Sequence, residues 1–136
     1  MKTLIKQNKG QTVVEFALVL PVLIFLLLAI MEGGRIFAAY LELQNAARDG
    51  ARYAAIHCPK KDWGPWVSGD LTLWVKSRLS MLDPSQLNIQ FYKESTSETW
   101  VQVTLNYPLP VTTPIISYLT GNPLNLSVKM AMRSEK

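Results

Sequence analysis

The sequence predicts an α+β protein: a long N-terminal helix, transmembrane in its first half, followed by a small domain with one helix packed on a roughly three-stranded antiparallel sheet. Three observations predict this architecture. Residues 16–31 are uniformly apolar, a helical pattern of apolar residues continues from there to about residue 57, and three later segments alternate apolar with polar residues. Roughly eighty residues, from about His57 onward, then remain for a domain outside the membrane.

Positive charge is concentrated at the N-terminus. Lys2, Lys6 and Lys9 are three of the fourteen basic residues, and the first ten residues contain no acidic one. The rest of the chain has eleven basic and ten acidic residues, so its side-chain charge is +1, compared with +4 for the whole chain. A nucleic-acid binder needs a basic patch or stripe, and this distribution offers none. We expect no nucleic acid among the partners.

The apolar run is long enough to span a bilayer. Residues 16–31 are sixteen consecutive apolar residues, and residues 13–31 contain Glu15 as their only charge. About 20 helical residues span the hydrocarbon core, whereas the apolar part of a secretory signal is typically about 7–15 residues long. We therefore predict a retained transmembrane segment at about 13–31, within which Pro21 removes one backbone donor and introduces a mild kink.

The charges on the two flanks predict an orientation. Lysines precede the segment, while the acidic and basic residues after it nearly cancel. Positive flanks stay in the cytoplasm. The predicted arrangement is a single-pass membrane protein with its N-terminus in the cytoplasm and its C-terminal domain outside. In a bacterium, the segment would lie in the inner membrane and the domain in the periplasm or beyond.

Beyond Arg35 the helical period continues as a stripe of small and apolar residues. Such a stripe permits close packing between helices, and it equally fits the face on which the C-terminal domain packs. Helix is disfavoured at Cys58 because Pro59 follows it, so the helix is expected to end near His57. The stripe consists of Ile36, Ala38, Ala39, Tyr40, Leu43, Ala46, Ala47, Ala51, Ala54 and Ala55.

The C-terminal part reads as one helix and three strands. Asp70 is the predicted N-cap of the helix, and Asp83 with Pro84 is its predicted end. Residues 87–92 and 101–107 alternate apolar with polar residues around the polar stretch "KESTSE", which predicts a hairpin, and residues 124–133 predict a third strand.

The proline-rich connection at 108–123 is unsuited to a central strand, and three roles remain open for its apolar residues: covering the sheet, touching the bilayer, or contacting a partner. Trp63 and Trp66 have the same ambiguity between an interface and the domain's own surface.

The sequence shows no catalytic or metal-binding motif. Cys58 is the only cysteine, which excludes an intramolecular disulfide and a cysteine-based zinc site, and adjacency to His57 does not make a nucleophile and base pair. Phosphate-binding and nucleophile-elbow signatures are also missing. We expect neither enzymatic activity nor a cofactor or metal.

Residues 9–56 carry a family resemblance. Gly10, Gln11, Glu15 and Phe16 before a long apolar helix resemble the cleavage site of type IV prepilins. More narrowly, "VEFALVLPVLIFLLLAIMEGGR" followed by "LELQNAARDGARYAA" is similar to the TadE-like pseudopilins of tight-adherence, or Flp pilus, assembly systems.

The resemblance implies a leader at residues 1–10, and the residue pattern predicts a long helix at 11–57 and an extracytoplasmic α+β domain at 58–136. It further implies that a prepilin peptidase cuts between Gly10 and Gln11, and that Glu15 with Phe16 serves recognition and assembly. Four residues are expected to serve helix packing: Pro21, Glu32, Gly34 and Arg35.

The expected function is that of an accessory or minor subunit in assembly of a Flp or type IV pilus or a related secretion apparatus. Its expected partners are the lipid bilayer, the prepilin peptidase, other pilin or pseudopilin subunits and the assembly machinery. An uncleaved, membrane-anchored binding module is the alternative.

Overall fold

The computed structural model describes residues 8–57, 65–95 and 99–133. Helix α1 runs from Asn8 to His57 without interruption, and it passes through Pro21. The predicted long helix and its end at His57 are confirmed. The predictions made for Lys2, Lys6, Cys58 and Trp63 lie outside the described residues.

The first part of α1 stands free of the rest of the chain. Its most apolar window has a mean hydropathy of 2.9, and none of that window is buried within the protein. A soluble helix buries its apolar face against its own domain, whereas a helix that is apolar all round requires lipid or another protein. The segment at 13–31 is therefore apolar enough to cross a membrane, and its surface is not covered by the rest of the described chain.

The sheet has three antiparallel strands in the order β1-β2-β3. Strand β1 spans Asn88–Ser95, β2 spans Thr99–Leu109 and β3 spans Leu124–Arg133. Val103 is paired with Phe91 on one side and with Met130 on the other, so the apolar residues of the three strands share one face. The predicted hairpin and third strand are confirmed.

Helix α2 spans Pro65–Lys76, so both predicted boundaries of this helix are wrong. It begins five residues before Asp70, because Pro65 supplies the fixed φ and missing N–H that suit the first helical position. Asp70 is exposed within the helix and does not cap it. Asp83 lies in a later turn, where its carboxylate accepts a hydrogen bond from the Ser85 N–H at 2.9 Å, and this bond lowers the pKa of Asp83.

The core lies between the second half of α1 and the apolar face of the sheet. Most of the small stripe on α1 faces inward, although Tyr40 is exposed, which confirms its interpretation as the face on which the domain packs. A Cβ added at Gly50 would meet Val75 Cγ2 at 2.8 Å, so α2 lies directly against α1 at that glycine. The most deeply buried side chains are Leu43, Ala47, Ala51, Leu71, Val75, Val101, Val103 and Leu105.

A short helix, α3, spans Pro114–Thr120 within the β2–β3 connection. Gly121 follows it at a φ of 81°, a left-handed conformation that glycine adopts without strain, and its N–H donates to the Ser117 carbonyl at 2.9 Å. Tyr118 and Leu119 are among the most exposed side chains described, so these two residues do not cover the sheet.

Candidate functional site

The residues proposed for processing and assembly lie on the exposed first turns of α1. Gly10 has no atom within 4 Å of the position that a Cβ would take. Glu15 accepts a hydrogen bond from Gln11 Nε2 at 3.1 Å, one helical turn away, and Phe16 is exposed. The structure thus brings Gln11 and Glu15 together and leaves Gly10 accessible.

Gly33 and Gly34 expose the backbone of α1 just beyond the apolar run. Neither has a neighbouring atom within 4 Å of a built Cβ. Pro21 is exposed within the apolar segment. Within the described part of the chain, no intramolecular packing explains the small residue at either glycine. Glycines of this kind let another helix approach closely.

Glu32, the first residue after the apolar run, is only 5% exposed. Its carboxylate accepts hydrogen bonds from Arg35 Nη2 at 2.6 Å, from the Thr112 N–H at 3.2 Å and from the Thr113 hydroxyl at 3.3 Å. A buried carboxylate is tolerated when it is paired and hydrogen-bonded in this way. Glu32 therefore ties α1 to the start of the connection that carries α3.

Arg35 strengthens the same contact. One guanidinium nitrogen, Nη2, donates both to Glu32 and to the carbonyl of Pro110. The Arg35 hydrogen bond is the main reason that the pKa of Glu32 lies below its ordinary value, with the Thr112 N–H acting in the same direction and desolvation opposing both. We call the set formed by Glu32, Arg35, Pro110, Thr112 and Thr113 the membrane-proximal joint.

A second carboxylate, Glu42, holds a different part of the domain. Its Oε1 accepts hydrogen bonds from the N–H groups of Ser80 and Met81, the latter at 2.9 Å, and from the Ser80 hydroxyl at 3.1 Å. The charge pattern of the sequence alone predicts no specific role for Glu42. Its position offered a signal, because Ala39 and Ala46 of the stripe lie three and four residues away and share its side of the helix.

The far end of α1 carries a stack of rings. Tyr53 lies against His57 with ring centres 4.1 Å apart and against Trp74 at 5.1 Å, and the Arg78 guanidinium lies 4.5 Å from the centre of the Trp74 ring. His57 Nδ1 is 3.0 Å from the Tyr53 carbonyl oxygen. The stack joins α1 to α2 and explains the conformation of His57 through packing and hydrogen bonding.

The described residues also contain no group of three histidine, cysteine, aspartate or glutamate side chains that could hold a metal ion. The main candidate features are the exposed, apolar half of α1 and the joint immediately beyond it. These features suit contacts with lipid and with other proteins.

Comparison with protein families matches residues 10–52 to the family described as TadE-like protein. Neither the curated proteins nor the solved structures gave a significant match. The matched residues include Gly10, Glu15 and both members of the ion pair at the joint. The TadE-like family is a structural family associated with Tad pili, and the helix is compatible with membrane localisation. Over residues 10–52 this chain is similar to the TadE-like family.

Proposed function

We propose that the protein is a membrane-anchored pseudopilin that acts as an accessory or minor subunit in assembly of a Flp or type IV pilus or a related secretion apparatus. One observation supports this most strongly. A single helix, Asn8–His57, has an exposed apolar half, while its other half forms part of the domain core. Such a subunit can pack its free half against neighbouring helices while displaying a folded domain outside the membrane.

Processing would occur between Gly10 and Gln11 by a prepilin peptidase at the cytoplasmic face. The open space around Gly10 supports this proposal, because a peptidase must approach the backbone closely. Cleavage creates an α-amine on Gln11. That amine, on one subunit, is a counter-charge for Glu15 of a neighbour. An ionisable group within a membrane segment is expensive and is usually paired, which supports the same role.

Intact-mass measurement of membrane-extracted protein tests the cleavage. With the peptidase present we expect the mass of residues 11–136, and without it the mass of the full chain. Gly10→Leu should block processing, whereas Gly33→Leu, placed at an equally open helical glycine, should leave it unchanged. A full-length mass in the presence of an active peptidase would refute this half of the proposal.

Crosslinking from Phe16 in intact cells tests the assembly role of Glu15. Glu15→Gln keeps a hydrogen-bonding partner for Gln11 but removes the charge, so we expect crosslinks to neighbouring pilin-type subunits to be lost. Glu15→Asp keeps the charge and should retain most of them. An uncleaved binding module, the second candidate, predicts an intact leader and partner contacts that are unchanged by both substitutions at Glu15.

A further inference from the structure

The membrane-proximal joint identifies which end of the sheet faces the bilayer. Arg35 donates to Pro110, which directly follows β2, and Glu32 accepts from Thr112 two residues later. Leu109 and Leu124, the last residue of β2 and the first of β3, are paired at this same end. The connection that contains α3 therefore leaves and re-enters the sheet at the end next to the membrane exit of α1.

The surface of this connection is uncharged and exposes two large side chains with apolar character. Tyr118 is 91% exposed and Leu119 is 78% exposed. Residues 101–128 contain no Asp, Glu, Lys or Arg, although 18% of the whole chain is charged. Tyrosine is enriched where a protein meets the membrane surface, since its ring is apolar and its hydroxyl remains hydrated.

The polar groups of α3 are largely satisfied within the helix itself. The Ser117 hydroxyl donates to the Pro114 carbonyl at 2.7 Å, and the Thr120 hydroxyl donates to the Ile116 carbonyl at 2.9 Å. A hydroxyl that bonds its own backbone costs less to move out of water. The short helix can therefore enter the headgroup layer with its Ser117 and Thr120 hydroxyls already hydrogen-bonded.

The connection is also held at both ends. Thr113, immediately before α3, donates to Glu32, and the Asn122 side chain bonds both backbone groups of Val111, accepting from its N–H at 3.1 Å and donating to its carbonyl at 3.4 Å. These bonds close the segment into a compact unit fixed to α1, so the position of α3 follows that of the transmembrane helix.

We propose that α3 is a second membrane contact, and that Tyr118 and Leu119 lie in the headgroup layer of the bilayer that α1 spans. Tyr118 and Leu119 are consecutive residues, about 1.5 Å apart along the helix axis, so both fit within a headgroup layer that is roughly 5–8 Å deep on each side. The partner is the lipid surface itself, because the joint fixes α3 to the residue at which α1 leaves the lipid. The contact depends on the membrane anchor and does not depend on a role in pili.

Depth-dependent quenching in nanodiscs of phosphatidylcholine and phosphatidylglycerol tests the proposal on the full chain. Single cysteines at Tyr118, Leu119 and Leu73, each in a Cys58→Ser background, are labelled with an environment-sensitive dye at one chain per disc. Leu73 is the matched control, since it is 69% exposed and lies two residues from Val75. Val75 contacts Gly50, which is eighteen residues, or about 27 Å, beyond Glu32 along α1.

We expect headgroup-level nitroxide lipids to quench the dyes at 118 and 119 and to shift their emission to shorter wavelength, with no change at 73. Equal emission and quenching at all three positions would overturn the proposal. Shielding at 118 that appears only with two chains per disc, without lipid quenching, would also overturn it and would identify a second copy as the occupant. Unchanged exchange protection of the Thr112 amide verifies that each labelled chain keeps its joint.

Discussion

Replacing Glu32 with glutamine should loosen the membrane-proximal joint while leaving the rest of the domain folded. The carboxylate accepts three hydrogen bonds, and the amide keeps only one accepting oxygen and loses the charge. A hydrogen bond to a charged group contributes about 1.5–3 kcal/mol, against about 0.5–1.5 kcal/mol for a neutral one. The bonds from Thr112 and Thr113 therefore each lose about 1 kcal/mol, and the partly exposed Arg35 pair adds little.

The expected loss of about 2 kcal/mol corresponds to a roughly 30-fold rise in local opening, because each 1.4 kcal/mol is a factor of ten. Amide hydrogen exchange measures this opening residue by residue. We expect the Thr112 amide, which donates to Glu32, to exchange about 30-fold faster in Glu32→Gln. The Met81 amide, which donates to Glu42, should be unchanged.

The reciprocal variant makes the test specific. Glu42→Gln should accelerate exchange at Ser80 and Met81 and leave Thr112 protected, because the two carboxylates hold different segments. Equal acceleration at both places in either variant would mean that the domain opens as one unit. Unchanged exchange at Thr112 in Glu32→Gln would refute the assigned role of the joint.

Acidification tests the ionised state of Glu32 without a mutation. The pKa of Glu32 is lowered in the folded protein, so its stabilising contribution is complete above its ordinary value of 4.5 and is lost as the pH falls through the lower, folded value. The Thr112 amide resonance should therefore titrate with a midpoint below 4.5. A midpoint above that value would contradict the assigned direction.

Two pairs of substitutions test the packing, with stability measured by urea unfolding followed through tryptophan fluorescence. Gly50→Ala gains about 1 kcal/mol of helix propensity but places a Cβ 2.8 Å from a branched valine, where overpacking costs about 1–3 kcal/mol. We therefore expect Gly50→Ala to lower the free energy of unfolding. Gly33→Ala, in open space, should raise it by about 1 kcal/mol. Leu43→Ala, at a fully buried position, should cost about 2–5 kcal/mol, whereas Leu41→Ala, 41% exposed, should cost about 0.5 kcal/mol or less. A stabilising Gly50→Ala, or equal effects at positions 41 and 43, would contradict the packing described.

Local sequence patterns correctly predicted the strands and the end of α1, because these depend on neighbouring residues. Alternating apolar residues predicted the strands, because the side-chain period of two fixes the buried face, and Pro59 predicted the end of α1. The predicted start of α2 was wrong because two residues fit a helix start. The helix begins at Pro65, which suits the first helical position, and not after Asp70 as an N-cap.

The joint could not be predicted in the same way. Sequence placed Glu32 and Arg35 near each other on one helix, but their partners at 110–113 lie more than seventy residues away. A local sequence pattern does not predict which loop forms hydrogen bonds with which carboxylate. Glu42 was missed for the same reason, although its place beside the small stripe was a usable signal.

The carboxylates of Glu42 and Glu32 have different roles: the first stabilises the domain, and the second also fixes the position of the domain relative to α1. Glu42 lies ten residues beyond Glu32, about 15 Å along the helix, and bonds the segment after α2, so its hydrogen bonds stabilise the domain wherever the domain sits. Glu32 bonds the segment before α3 at the residue where the apolar run ends, so its hydrogen bonds also fix the position of that segment relative to the apolar half of α1. If α3 lies in the headgroup layer, Glu32→Gln should reduce lipid quenching at position 118 with little loss of global stability. Glu42→Gln should lower that stability without changing the depth at which the label lies.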